Sequence, residues 1–254
     1  MNKTHRNHSS LRFASIAAIL LAVGLTNASA FVLGPTTPGK WGPAAMGTGA
    51  TVTWSLMATG VTNPNEAGAP PITALADFMP AGFLTEVQNA FAAWSAVANI
   101  NFVFVAADNG VAVNAAGTNA DIRIGGHAFD GAGGTLAHGF YPPANGNTIA
   151  GDIHFDTGDL WKLGFGGAGF SIFQVMAHEI GHAIGLDHTG VANSLMNPFY
   201  TEAFSGVQTD DIAGAQFIYG SRATNPPGVP DGGSTLMLLG LVAMVLVPLR
   251  RRLA

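Results

Sequence analysis

Residues 178 to 188 read HEIGHAIGLDH and constrain this chain more than any other stretch. His178 and His182 stand four apart, so on a helix they share one face about a turn apart. Two imidazoles placed that way can hold one Zn²⁺, and Glu179 lies beside them, where its carboxylate can reach a water on the ion. Gly185 permits a left-handed residue, which ends the helix and turns the chain. That turn can swing His188 back as a third nitrogen ligand. Three histidines with an open fourth position form the donor set of catalytic zinc, which lowers the pKa of a water toward neutrality for a nearby carboxylate to deprotonate. A bare HExxH also arises on polar faces of unrelated helices. The full HExxHxxGxxH fixes five positions, and Ser194 to Pro198, SLMNP, follows.

This pairing of motif and downstream methionine resembles the metzincin signature with its Met-turn. Within that group HEIGHAIGLDH and LMNP look most like the matrixins, the matrix-metalloprotease family. The resemblance runs through the AFAAWS segment at 90 to 95 and down to DDIAGAQFIYG at 210 to 220, nearly all of 31 to 220. It implies an α/β (α+β) metzincin fold: a mixed twisted five-stranded sheet, two long helices above and below it, and a short C-terminal helix. It also implies a zinc endopeptidase in which His178, His182 and His188 hold the catalytic ion and Glu179 is the base. Met196 would floor the zinc, and Pro198 and Tyr200 would wall the specificity pocket. Gly134 to Phe140 resembles the edge strand above the cleft, where an extended polypeptide can pair by β-augmentation. A catalytically idle module that keeps the fold to bind protein or polysaccharide is the alternative, and the intact Glu179 argues against it.

The residues themselves support that element order. ATVTWSL contains an alternating strand at 51 to 56, and 99 to 105 and 121 to 124 read as two more. Residues 60 to 82, rich in Gly, Pro, Asn and Ala, read as loop. Thr85 to Gln88 fits a capping box, followed by Val87, Ala90, Phe91, Trp94 and Val97 at helical spacing. A second capping box, Ser171 with Gln174, opens the helix that carries His178 and His182.

A second constellation spans 121 to 159. By the resemblance, His127, His138 and His154 match histidines of a structural zinc. His138 and His154 lie in strand-like segments whose pairing would bring the imidazoles together. Phe129 stands where the family has an aspartate as fourth ligand, which leaves that position to water or leaves the site without its ion. Asp130, followed by the carbonyls of Gly131 and Gly133 and by Thr135, suits a hard cation, and the resemblance adds Asp156 and Asp159 to that calcium site. Asp121 and Asp152 match a second calcium site, with carbonyls from Thr148 and Ala150.

From 31 to 230 the chain carries four basic and fourteen acidic residues, net −10. The absence of a basic patch argues against nucleic acid as a partner. There are no cysteines, so neither disulfides nor a thiolate held on zinc can serve this chain. Residues 1 to 30 read as a signal peptide: Lys3, Arg6 and Arg12, an apolar run from Phe13 to Leu25, and Ala28-Ser29-Ala30 as cleavage site. Matrixin-like sequence begins at once with Phe31, whose ammonium the resemblance sets against Asp210, the first aspartate of the DDI helix. The domain then occupies 31 to 224, and 225 to 254 forms a linker and tail. In the tail VPDGGS precedes an apolar run, Thr235 to Leu249, and Arg250 to Arg252. It resembles the PEP-CTERM sorting signal in its VPDSG-like variant, which implies an exosortase-type enzyme as partner, a transient membrane anchor, and a place outside a Gram-negative-type bacterium.

Overall fold

The computed structural model describes residues 31–222, apart from 66, 67, 69, 118 and 144–148. The signal peptide at 1–30, the tail from 223 onward and the expected ligand Thr148 lie outside the described residues. Among those described, no helix is long and apolar enough to cross a membrane.

The framework is a five-stranded mixed sheet in the order β3-β2-β4-β6-β5. Its strands are β2 (Ala50–Leu56), β3 (Ile100–Phe104), β4 (Ile122–His127), β5 (Ala137–Gly139) and β6 (Ile153–Asp156). β3, β2, β4 and β6 run parallel, and β5 alone is antiparallel, pairing His138 with His154. β4 and β6 are buried along their whole length. Both strands lie inside the sheet with a neighbour on either side, and Ile122, Ile124, Ile153 and Phe155 are all below 1 % exposed. Strand β2, between β3 and β4, alternates as its sequence does, with Val52 and Trp54 inside and Thr51 outside.

Helix α1 (Phe83–Val97) buries Val87, Ala90, Phe91 and Trp94, four of the five residues its spacing marks as core, and leaves the fifth, Val97, half-buried against them. Trp94 and Phe91 each bury an aromatic side chain, an effect of about 1.5–3 kcal/mol apiece. Its start differs from the sequence expectation. Gly82 at φ 99° is the N-cap, and Thr85 already lies in the first turn, with its N–H donating to the Gly82 carbonyl. The capping box at Thr85 to Gln88 therefore does not form. The loop expected over 60 to 82 contains one short 3-10 turn, Leu75–Asp77.

Helix α2 (Ile172–Ala183) crosses α1, and the Trp94 indole donates to the Ala177 carbonyl at 2.8 Å. Ser171 caps α2 by accepting from Gln174 N–H, but Gln174 does not reciprocate; its Oε1 accepts from Gly206 N–H at 3.0 Å instead. Only half of the expected capping box is present. Helix α3 (Thr209–Tyr219) packs behind, opened by a box between Gln208 and Asp211.

Two short ladders escape sequence reading. β1 (Val32–Leu33) pairs antiparallel with β9 (Leu186–Asp187), and β7 (Trp161–Lys162) pairs with β8 (Phe170–Ser171). The first lays the N-terminal segment along the turn that follows α2. The second joins the glycine-rich loop before α2 to its own root.

Candidate active site

Helix α2 supplies His178, Glu179 and His182. Gly185 then takes φ 109°, and a side chain there would run into the Gly39 carbonyl, so only glycine makes this turn. The turn returns His188. His178 Nε2 and His182 Nε2 lie 3.1 and 3.2 Å from His188 Nε2. Ligand nitrogens on a tetrahedral zinc, each about 2.0–2.1 Å from the ion, stand about 3.3 Å apart. The convergence fits a single ion of that size.

The outer nitrogens are fixed by backbone. His178 Nδ1 meets the Leu195 carbonyl at 2.6 Å, and His182 Nδ1 meets the Leu186 carbonyl at 2.8 Å. A carbonyl there places the proton on Nδ1 and leaves Nε2 as the ligand atom. Burial pushes His178 down to about 3 and His182 down to about 4, so both imidazoles are neutral near pH 7, as metal ligation requires.

Glu179 is 5 % exposed. Burial pushes its carboxyl up to about 8, against a hydrogen bond from the Gly139 backbone. Its Oε2 has no hydrogen-bond partner among the described residues. A nearby dication favours the ionised carboxylate and works against burial. Gly139 belongs to β5, so the edge strand and the helix carrying Glu179 touch directly.

Met196 is 1 % exposed. Its turn is braced from behind by Asp211, which accepts from Leu195 N–H at 2.7 Å, Met196 N–H at 3.1 Å and the Ser194 hydroxyl. Phe31 packs on Phe217 at 5.6 Å between ring centroids and lies against Gly214.

The cleft above the three histidines is lined by β5 on one side and by Pro198 and Tyr200 on the other. The Tyr200 hydroxyl accepts from Ser171 N–H at 2.8 Å and donates to Glu202 at 2.5 Å. Glu202 also accepts from Gly166 N–H at 2.7 Å and pairs with Lys162 at 2.6 Å. One carboxylate thus ties the pocket wall to the glycine-rich loop, a link that no local sequence signal announces. An ion pair this exposed has a small effect. Glu202→Gln is expected to loosen the glycine-rich loop and speed its cleavage by an added protease by roughly twofold to threefold. Timed limited digestion measures it; an unaltered rate would mean that Tyr200 holds the wall unaided.

The second triad is also assembled. His138 Nε2 lies 3.1 Å from His154 Nδ1, and the His127 ring stands 5.7 and 5.3 Å from theirs. Phe129 stacks on His138 with ring centroids 4.7 Å apart. Among the described residues, the two histidine triads are the groups of three ligands whose atoms all fall within 4.8 Å of one another.

The acidic residues behave differently. Asp130 is engaged by the Thr135 N–H and hydroxyl, Asp159 by Gly133 N–H, and Asp156 by Phe129 and Gly158 N–H. One oxygen each of Asp156 and Asp159 is buried with no partner among the described residues. Gly131 lies close enough to Gly158 to show that the two loops meet. The pair of Asp121 and Asp152 is less open. Asp121 Oδ2 accepts from the Thr53 N–H and hydroxyl, and Asp152 Oδ1 accepts from Arg123 N–H, leaving Asp152 Oδ2 buried with no partner among the described residues. Burial pushes Asp152 well above the usual carboxylate range.

Comparison with known proteins agrees with this geometry. The model of the Matrixin peptidase family matches residues 74–220. Karilysin of Tannerella forsythia is 37 % identical over 142 residues, 53 % of this chain and 28 % of the relative. Stromelysin-3 of Xenopus laevis is 45 % identical over 100 residues, 39 % of this chain and 20 % of the relative. Macrophage metalloelastase of Rattus norvegicus is 37 % identical over 152 residues, 56 % of this chain and 31 % of the relative. The chain therefore spans less than a third of the length of these relatives. The matched segment contains the whole sheet beyond β2, all three helices and both histidine triads, and on that match the chain belongs to the matrixin family.

Proposed function

We propose that this protein is a zinc-dependent endopeptidase that hydrolyses extended polypeptides, with His178, His182 and His188 holding the catalytic ion and Glu179 as general base. The observation that carries this reading is the convergence of three Nε2 atoms beside a buried carboxylate with one free oxygen. Zinc, when bound, supplies a Lewis acid for the scissile carbonyl and makes water nucleophilic at neutral pH. The chain's own residues do the rest. The β5 edge aligns the substrate backbone by main-chain pairing. Tyr200 and Pro198 enclose the side chain that follows the scissile bond. Glu179 Oε2 takes a proton from the attacking water and delivers it to the leaving amine nitrogen, so the carboxylate ends as it began.

The second triad reads as a structural zinc site with three histidines. The loops around Asp130, Gly131, Gly133, Thr135, Asp156 and Asp159, and those around Asp121 and Asp152, read as calcium sites. The export signal and sorting tail assign the enzyme to the outside of the cell, with an exosortase-type enzyme acting on the tail. Hydrolysis of a casein-like substrate by the purified protein tests the activity. It should be lost on removal of zinc and restored by adding it back; hydrolysis that persists without metal, or none with it, rejects the reading.

A further inference from the structure

His178 and His182 are aimed by carbonyls on their outer ring nitrogens. His188, the exposed member of the triad, is held through its backbone: its N–H donates to Asp187 Oδ1 at 2.7 Å. That same oxygen accepts the Tyr141 hydroxyl at 2.8 Å. The Tyr141 ring also stands edge-on to His182, with centroids 5.6 Å apart at 81°. One tyrosine, two residues beyond β5, thus touches a ligand directly and reaches another through a shared carboxylate.

The tyrosine is itself wedged in place. A Cβ at Gly34 would lie 2.5 Å from Tyr141 Cδ1, so the glycine is what lets the ring lie against the N-terminal segment. That segment in turn pairs with Leu186 and Asp187, and Gly34 N–H donates to the Gly185 carbonyl at 2.8 Å. The turn that returns His188 is therefore clamped by β1 on one side and by Tyr141 at its tip. Ordering this turn before an ion arrives lowers the conformational cost of binding.

We propose that Tyr141 is a positioning residue for the metal, acting through Asp187 to preset the peptide that carries His188. The inference rests on the assignment of the ion to His178, His182 and His188. Outer partners of metal ligands are commonly worth 10- to 100-fold in affinity. Tyr141 acts on one ligand through a backbone hydrogen bond, which sets the expectation at the lower end of that range.

Zinc affinity of the full chain, measured by competition with a chromogenic chelator, and the visible absorption bands of the Co²⁺-loaded protein test this without relying on activity. His188→Ala identifies the binding step that belongs to this triad; the step of the other triad is the internal control. Tyr141→Phe keeps the ring and removes the hydroxyl. It is expected to weaken the His188-dependent step about tenfold, shift the Co²⁺ bands and leave the control step unchanged. Gly34→Ala keeps the hydroxyl but displaces the ring, and should move both readouts in the same direction. Unchanged affinity and spectrum in Tyr141→Phe overturn the proposal, and so does equal weakening of both steps, which marks a general loss of structure. If His188→Ala alters neither step, the assignment of the ion fails and the positioning role fails with it.

Discussion

Glu179→Gln is expected to lower peptide hydrolysis by about 10²–10⁴-fold while zinc remains bound. The substitution keeps the side-chain volume in a position that is 5 % exposed and removes the one function the geometry gives it, proton acceptance. The carboxylate is not among the atoms converging on the ion; those are imidazole nitrogens whose orientation comes from the Leu195 and Leu186 carbonyls. Metal content and catalysis should therefore separate in this variant, whereas His182→Ala should lose both. An isosteric change also spares the contact between Glu179 and Gly139, so β5 stays on the helix. Metal analysis beside a progress curve decides the matter. Near wild-type turnover in Glu179→Gln would remove the base from the mechanism, and loss of zinc together with activity would make Glu179 a structural support.

The site was legible in the sequence to the extent that its geometry is helical or strand-local. Four-residue spacing on α2 fixes the relation of His178 to His182, and a glycine three residues on predicts the return of His188. The pairing of His138 with His154 was also readable, because strand segments on either side of a loop have few ways to meet. What stayed hidden depends on contacts distant in sequence. Tyr141 and Asp187 are 46 residues apart, and nothing about either residue type announces the bond. The brace of the Met-turn by Asp211 is of the same kind: the residue lies 15 to 17 positions away from the groups it accepts from. Lys40 is 2 % exposed, its ammonium ringed by the Trp41, Pro43 and Thr48 carbonyls; composition gives no hint of so buried a lysine. The same holds for the buried pair of Arg123 with Asp108. The N-terminus of α1 was misplaced for the opposite reason. Thr85 carries a strong local capping signal, and the loop geometry at Gly82 overrides it.

Calcium removal with zinc retained is expected to lower the melting temperature by about 5–10 °C and to open the stretch from 127 to 152 to proteolysis. Asp156 and Asp159 each bury an oxygen that no described residue satisfies, and burial pushes Asp159 upward, helped by the nearby charges of Asp156 and Asp130. An unpaired buried acceptor costs about 1–3 kcal/mol, more when charged, so a cation received by these oxygens would stabilise the loop that gathers them. A ligand present at a hundred times its dissociation constant stabilises by about 2.7 kcal/mol, which in a domain of this size is worth several degrees. The chain has no disulfide to take over that role. The effect should reach the cleft, because Gly133, Gly134 and Thr135 of this loop line it just ahead of β5. Loosening them frees the edge on which the substrate is to pair, and KM should rise before zinc is lost. Thermal melts and limited digestion in a chelator selective for calcium over zinc give the measurement. Identical melting and digestion patterns with and without calcium would strip these aspartates of their ion and leave Asp130, Asp156 and Asp159 as loop-capping residues alone.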